Sequence, residues 1–271
     1  MKQDLFMAVN IFCDDTPIVV QAKDKTKKGR LWVYASNGLS SPQCVIYDYT
    51  PNRSRTGPSN FLMDYKGYIQ ADAYPGYDKL YQDGKLIEVA CMAHLRRKFN
   101  DIKEAAKKAT LADYAIDLIA KLYQIESKTK ELNYIGRYYY RKKYAKPRLL
   151  ELYRWLKKES KLTLPNTPIN NAIMYGLNHW RALQNYLADG RLEIDNNRAE
   201  RAIKPVVIGR KNYLFFGSDD GGKRAATMYS IIETCKQNNT NPFEYLKWVF
   251  TKIPTHTSNK IRELLPYNYK S

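Results

Sequence analysis

The feature that most constrains this chain is a change of hydrophobic period near residue 95. Before it, apolar and β-branched residues come in short or alternating runs. Val9 to Val20, Leu31 to Ala35, Cys44 to Tyr49, Tyr68 to Ala71 and Leu86 to Ala93 read as strands. Asn37-Gly38, Pro51-Asn52 and Gly57-Pro58 supply turns between them, and Tyr77 to Tyr81 has helical character. After it, Leu111, Tyr114, Ala115, Leu118, Ile119 and Leu122 recur at steps of three and four, as one helical face demands. Leu149, Leu152, Tyr153 and Leu156 repeat the stripe, and so do Ile173, Leu177, Trp180, Leu183 and Leu187, until Asp189-Gly190 stops it. The chain is therefore expected to be α/β, with a sheet built first and a set of helices after it.

The order of strands and helices in the first part, three strands, a helix, a strand, a helix and a strand, is that of a ribonuclease-H-like core. Past Arg191 the run Leu-Glu-Ile-Asp-Asn-Asn-Arg-Ala-Glu-Arg-Ala-Ile-Lys-Pro205 lets Asp195 or Asn196 cap a short helix that carries Glu200 and that Pro205 limits. Val206 to Phe216 reads as strand-like, Asp219 to Gly222 as a turn, and Ala225 to Lys236 and Pro242 to Phe250 as helices.

Charge narrows the choice of partner. Lysine and arginine number 45 against 27 acids, a surplus of 18 that attracts polyanions, and nucleic acid is the first to consider. The bases are spread along the chain and do not load one amphipathic helix, which argues against a membrane surface. No apolar run approaches the roughly 20 residues that cross a bilayer, so a soluble cytoplasmic protein is expected. Cys13, Cys44, Cys91 and Cys235 form no C-x-x-C pair and are expected to be reduced thiols. Cys91 and His94 make half of a conceivable zinc site, without a second metal-spaced pair to complete it. His94 reads as an orienting residue, a DNA contact or a hydrogen-bonded core histidine. Between Arg137 and Lys146 basic and aromatic residues interleave, a pattern that suits a nucleic-acid strand or a solvated helix packing its tyrosines inward.

Three acids stand out by position. Asp14 falls in the first apolar strand, where a carboxylate is costly unless a cation answers it. Asp72 ends the fourth strand in Gly-Tyr-Ile-Gln-Ala-Asp, and Glu200 would come from the helix after Asn196. Grouped carboxylates are the hard oxygen ligands that paired Mg²⁺ or Mn²⁺ ions need for phosphoryl transfer. With 27 acids in the chain, surface carboxylates or a helix cap would explain such a triplet as readily.

Resemblance to a known family goes further. Asp14-Asp-Thr-Pro, Leu31-Trp-Val-Tyr, Gly67-Tyr-Ile-Gln-Ala-Asp-Ala-Tyr-Pro-Gly-Tyr77 and Cys91-Met-Ala-His-Leu-Arg-Arg-Lys-Phe99 resemble the insertion sequence 66 family of transposases. So do Asp189 to Pro205 and Ile208-Gly-Arg-Lys-Asn-Tyr-Leu-Phe-Phe-Gly-Ser218. The resemblance implies a ribonuclease-H-like (DDE) core of mixed five-stranded sheet over 1–95 and 189–250, a helical insertion over 96–188 between the fifth strand and the catalytic helix, and a C-terminal tail over 251–271. It implies that Asp14, Asp72 and Glu200 hold two Mg²⁺ or Mn²⁺ ions, with Glu193 as the rival third ligand. It also implies metal-dependent cleavage and strand transfer on double-stranded DNA, by a homo-oligomer assembled on DNA in the nucleoid, with accessory element-encoded proteins as further partners. Arg96, Arg97, Lys98, Arg198, Arg201, Lys204, Arg210 and Lys211 are the candidate phosphate contacts. The family's D-E-T appears here as Asp14-Asp15-Thr16 and its D-G-Y as Asp72-Ala73-Tyr74. Relatives carry an upstream DNA-recognition region, so a truncated product is one expectation. An inactive DNA-binding remnant and a ribonuclease-H-like nuclease are the alternative functions.

Overall fold

Strands come first in the computed structural model, which describes residues 1–23, 25–39, 42–72, 74–82, 84–106 and 110–269. Ala73 of the expected motif and the last two residues of the expected tail lie outside the described residues. After a short helix α1 (Lys2–Leu5) come β1 (Asn10–Gln21), β2 (Thr26–Ala35) and β3 (Val45–Thr50), then α2 (Thr56–Leu62), β4 (Gly67–Ala71), α3 (Asp78–Gln82) and β5 (Leu86–Ala90). The helices α4 (Met92–Ala106), α5 (Leu111–Ser127), α6 (Tyr134–Tyr140), α7 (Lys146–Glu159), α8 (Pro168–Asn178) and α9 (Trp180–Gln184) follow. Then come α10 (Asn197–Tyr213), α11 (Asp219–Gln237) and α12 (Pro242–Lys252). Among the described residues no helix is long and apolar enough to cross a membrane.

The strands form one five-stranded mixed sheet in the order β3-β2-β1-β4-β5. Pairing is antiparallel between β1 and β2, with Asp14 opposite Val33, and between β2 and β3, with Val33 opposite Tyr47. The chain divides into two compact units, one of Met1–Ile69, Tyr74–Leu86 and Asn197–Ser271, the other of Gln70–Ala73 and Ile87–Asn196.

In the first unit, α10 and α11 bury Ala199, Ala202, Ile203, Val206 and Ala226 in one core with Phe12, Ile18, Val20, Leu31, Val33 and Tyr47 from the sheet. The edge strand β3 would otherwise present bare amides and carbonyls. Helix α11 answers them with hydroxyls. Val45 N–H donates to Thr234 Oγ1 at 3.0 Å, Thr234 returns a bond to the Val45 carbonyl at 3.0 Å, and Tyr47 N–H donates to Ser230 Oγ at 2.8 Å. Gly222 allows the approach, since a Cβ there would lie 2.7 Å from the Tyr49 ring.

Several sequence expectations change here. Pro205 does not limit the helix: α10 runs through it to Tyr213. An internal proline costs about 3 kcal/mol, and the apolar stripe Ala199, Ala202, Ile203, Val206 that packs on the sheet offsets that cost. The strand-like stretch from Val206 is therefore helix, and pairing survives only as a bridge from Phe216 to Val20. Leu214 ends the helix with φ +63°, and Asp219 to Gly222 form the first turn of α11 behind its N-cap Ser218. Gly57-Pro58 lies inside α2, and the last strand stops at Ala90 because Met92 begins α4.

In the second unit α4, α5, α7 and α8 bury Leu95, Phe99, Leu118, Leu122, Leu152, Leu156 and Ile173, the last five of them on the predicted helical stripes, while the stripe members Leu111 and Tyr114 are exposed. Gly176 lets α8 approach closely, since a Cβ there would meet Leu156 and Leu95 at 3.1 and 3.2 Å. The interleaved segment is helical throughout, α6 joining α7 through a π-helical turn over Arg141–Ala145. One of its bases points inward: Arg141 is fully buried and ion-paired with Glu126.

Candidate active site

Alternation along β1 sends Asp14 and Asp15 to opposite faces of the sheet. The Asp15 side chain is 4% exposed and already neutralised: Arg30 Nη1 lies 2.8 Å from one oxygen, and Arg53 Nη2 donates to the other at 2.8 Å. Asp14 is half-buried on the face that bears Phe12, Ile18 and Val20, and one of its oxygens accepts the Asp15 N–H at 2.7 Å. That is the face on which α10 packs. Arg198 lies over the Phe12 ring, 5.6 Å from its centroid, and Arg210 Nη1 donates to Thr16 Oγ1 at 2.7 Å and to the Pro17 carbonyl at 2.8 Å. The helix thus runs along β1 past Asp14, with the half-buried Glu200 near its Phe12 end. Arg201, Lys204 and Lys211 follow at three- and seven-residue steps on the exposed side of α10. Arg210 is a strut to β1, while these three remain solvent-facing cations.

The second unit holds Asp72, half-buried just past the end of β4. Two residues earlier on the same strand face, Gln70 is fully buried and clamps the stretch that leads into α10. Its amide N–H₂ donates to the Glu193 and Asp195 carbonyls, the latter at 3.0 Å, and its Oε1 accepts the Glu193 N–H at 3.3 Å. From the other side Met92 N–H donates to the Ile194 carbonyl at 3.1 Å, and Asn196 N–H donates to Cys91 Sγ at 3.2 Å. The backbone of residues 193–196 is therefore tied at every step, although it belongs to no helix. Because α10 begins at Asn197, Glu193 is not on it, and the condition under which Glu193 would share a face with Glu200 is not met. Glu193 faces Arg137, whose pKa is held below its usual value first by burial and then by Arg141, with Glu126 and Glu193 opposing the shift.

Burial raises the pKa of two tyrosines in this unit. It pushes the Tyr123 hydroxyl well up, reinforced by the charges of Asp195 and Cys91. Tyr175 is pushed up to about 12 by burial first, then by Cys91, Asp72 and Glu88. Arg96, half-buried, lies 5.8 Å from the Tyr123 ring centroid, so it faces the helical interior. Lys98 is exposed and sits 4.6 Å from the Tyr175 ring centroid, and Arg97 is exposed. His94 is half-buried one turn into α4, its N–H bonded to the Cys91 carbonyl at 3.2 Å.

Two family models account for most of the sequence. The one described as transposase IS66 family matches residues 1–224, and the one described as IS66 C-terminal element matches residues 230–267. The chain belongs to the IS66 family of transposases. Among curated relatives, the uncharacterized protein y4hP of Sinorhizobium fredii is 32% identical over 289 residues, a match covering 100% of this chain and 52% of that protein. The uncharacterized protein y4qI of the same organism is 32% identical over 274 residues, covering 96% and 51% respectively. The chain spans about half the length of the curated relatives it matches.

Within this IS66 chain, sequence reasoning missed two buried polar residues that fix the backbone before α10, Gln70 at residues 193–195 and Arg141 at 189–192. Gln70 had a signal: a polar amide at the strand position that shares a face with Asp72, in an otherwise apolar run. Arg141 had none, since it stands among exposed bases and only the packed helices show that it turns inward.

Proposed function

We propose that this chain carries the catalytic part of a DNA transposase, a ribonuclease-H-like core in which Asp14, Asp72 and Glu200 hold two Mg²⁺ or Mn²⁺ ions and residues 96–188 form a helical insertion. The observation that carries the reading is the clamp of Gln70 on residues 193–196, which ties the strand of Asp72 to the chain entering the helix of Glu200. The donor set fits hard divalent cations, being three carboxylates with only partial exposure. Asp15 is the poor candidate beside Asp14, because Arg30 and Arg53 already balance its charge.

Bound at these acids, the cations would lower the cost of deprotonating the attacking oxygen and of charge on the leaving one. The chain's residues supply the rest. Half-buried Asp14 keeps its carboxylate rigid on β1, and Glu200 rides on a helix packed against the same sheet face. Arg201, Lys204 and Lys211 on the exposed stripe of α10, with Arg97 and Lys98, would grip phosphates of double-stranded DNA and hold the strand in line. In the first step a water oxygen bonds to phosphorus and the P–O3′ bond breaks, leaving a 3′-hydroxyl and a 5′-phosphate. In the second, that hydroxyl oxygen bonds to a target phosphorus, its proton is lost, and the target strand's 3′ oxygen departs. No serine or tyrosine nucleophile is needed. A homo-oligomer on the two element ends, with accessory element-encoded proteins, completes the proposed assembly.

The test is donor cleavage in Mg²⁺ with Asp72→Asn and Glu200→Gln. Loss of activity in both, with circular dichroism and melting unchanged, is the expected outcome. Cleavage near the parent level in either removes the assignment.

A further inference from the structure

We propose that the helical unit carries a second DNA site, a pocket that takes one unpaired nucleobase, with the flanking phosphates held by Lys142 and Lys146. The proposal rests on the reading above that this chain works on DNA. A cavity of about 490 Å³ opens beside α7 and α9, within the range of small-ligand sites. Its aromatic surface is Tyr153 and Trp180, half-buried, with ring centroids 4.9 Å apart and planes inclined by 31°. Lys142 and Lys146 line it and are exposed, Lys157 Nζ stands 5.1 Å from the Tyr153 ring centroid, and no carboxylate lines the cavity. Gln184, also exposed in the lining, offers a donor and an acceptor to a base edge.

Two features favour a nucleobase over an apolar partner helix. An apolar helix would bury the lysine ammoniums without an answering charge, whereas a nucleotide brings a π-face to the rings and a phosphate to the cations. The cations also continue beyond the pocket. Pro147 lines both this cavity and a second hollow of about 740 Å³, where Lys121, Lys128 and Lys143 surround the paired rings of Tyr140 and Tyr144, 4.4 Å apart. No carboxylate lines that hollow either, so a strand leaving the pocket meets a basic, aromatic path. A base inside a duplex cannot reach such rings without leaving its stack, so the pocket selects unpaired nucleotides.

The experiment is fluorescence anisotropy of the full chain with a labelled oligothymidine strand, in EDTA so that cleavage plays no part. Trp180→Ala is expected to weaken binding by between about fivefold and a hundredfold, and Trp180→Phe to keep most of the affinity, because a smaller π-face remains. Lys142→Gln with Lys146→Gln, both at the surface, should weaken binding and reduce the slope of log affinity against log salt by about 1.4, the value for two phosphates of a single strand. Should Trp180→Ala fail to fold, the lysine pair and Trp180→Phe carry the decision. Affinity within twofold of the parent in the lysine double variant overturns the proposal. So does an equal loss of affinity for a labelled, fully paired duplex in Trp180→Ala, or competition by free thymidine monophosphate as strong as that of the strand. Absence of metal-dependent cleavage by the unmodified chain, with Trp180-dependent binding intact, would refute the catalytic reading alone.

Discussion

Replacing Arg141 with methionine should unfold the helical unit early. The guanidinium donates to both oxygens of Glu126, at 2.9 and 2.6 Å, and to the carbonyls of Tyr186, Asp189 and Leu192, at 3.0, 3.2 and 3.0 Å. Stripping one partner from a buried ion pair costs about 3 to 5 kcal/mol. The Glu126 side chain is 11% exposed, and Arg137 Nη2 lies 3.8 Å from it, so part of the charge stays answered and the low end of that range applies. Three carbonyls lose their donor, at roughly 1 kcal/mol each, partly recovered by the buried methionine. The expectation is a loss of about 4 kcal/mol, or roughly 10 °C in melting temperature at about 2 to 4 °C per kcal/mol. Urea unfolding followed by circular dichroism measures it. Adding Glu126→Met removes the orphaned charge and should restore about 1 to 2 kcal/mol. A loss below about 1 kcal/mol in the single variant, or no recovery in the double, would refute the reasoning.

Two further outcomes follow from the same structure. Gln70→Leu keeps the volume but removes the clamp, so amide exchange in a peptide spanning 189–197 should accelerate at least tenfold while exchange in β1 and β2 stays unchanged; uniform rates would show that the clamp is dispensable. Leu214 holds a left-handed backbone and is 64% exposed, so it has little burial to lose. Leu214→Asn should therefore raise stability by up to about 1 kcal/mol, and a lower urea midpoint would contradict this.

Legibility in the sequence followed the length of the pattern that each element offered. The long strands β1 and β2 and the stripes of α5 and α7 were readable because alternation or a three-to-four step repeats over many residues, whereas the stripe from Ile173 to Leu187 is broken at His179 into α8 and α9. The stretch after Glu200 was misread for a physical reason. Val206 and Val207 carry β-propensity and Pro205 discourages a helix, yet the apolar face of α10 finds a sheet to pack on, and burial outweighs local preference. Asp14 and Asp15 were indistinguishable as neighbours. Only the positions of Arg30 on β2 and of Arg53 in the loop after β3 show that Asp15 has its charge answered. Of the candidate phosphate contacts, Arg96 and Arg210 turn toward the protein because each meets a partner far away in sequence, Tyr123 and Thr16 respectively.

Anomalous diffraction from crystals soaked in Mn²⁺ addresses the heart of the account. Two peaks roughly 4 Å apart, each touching carboxylate oxygens of Asp14, Asp72 or Glu200, are the predicted result. Manganese seated at Glu193 instead, or no density beside any of the three acids, would contradict it.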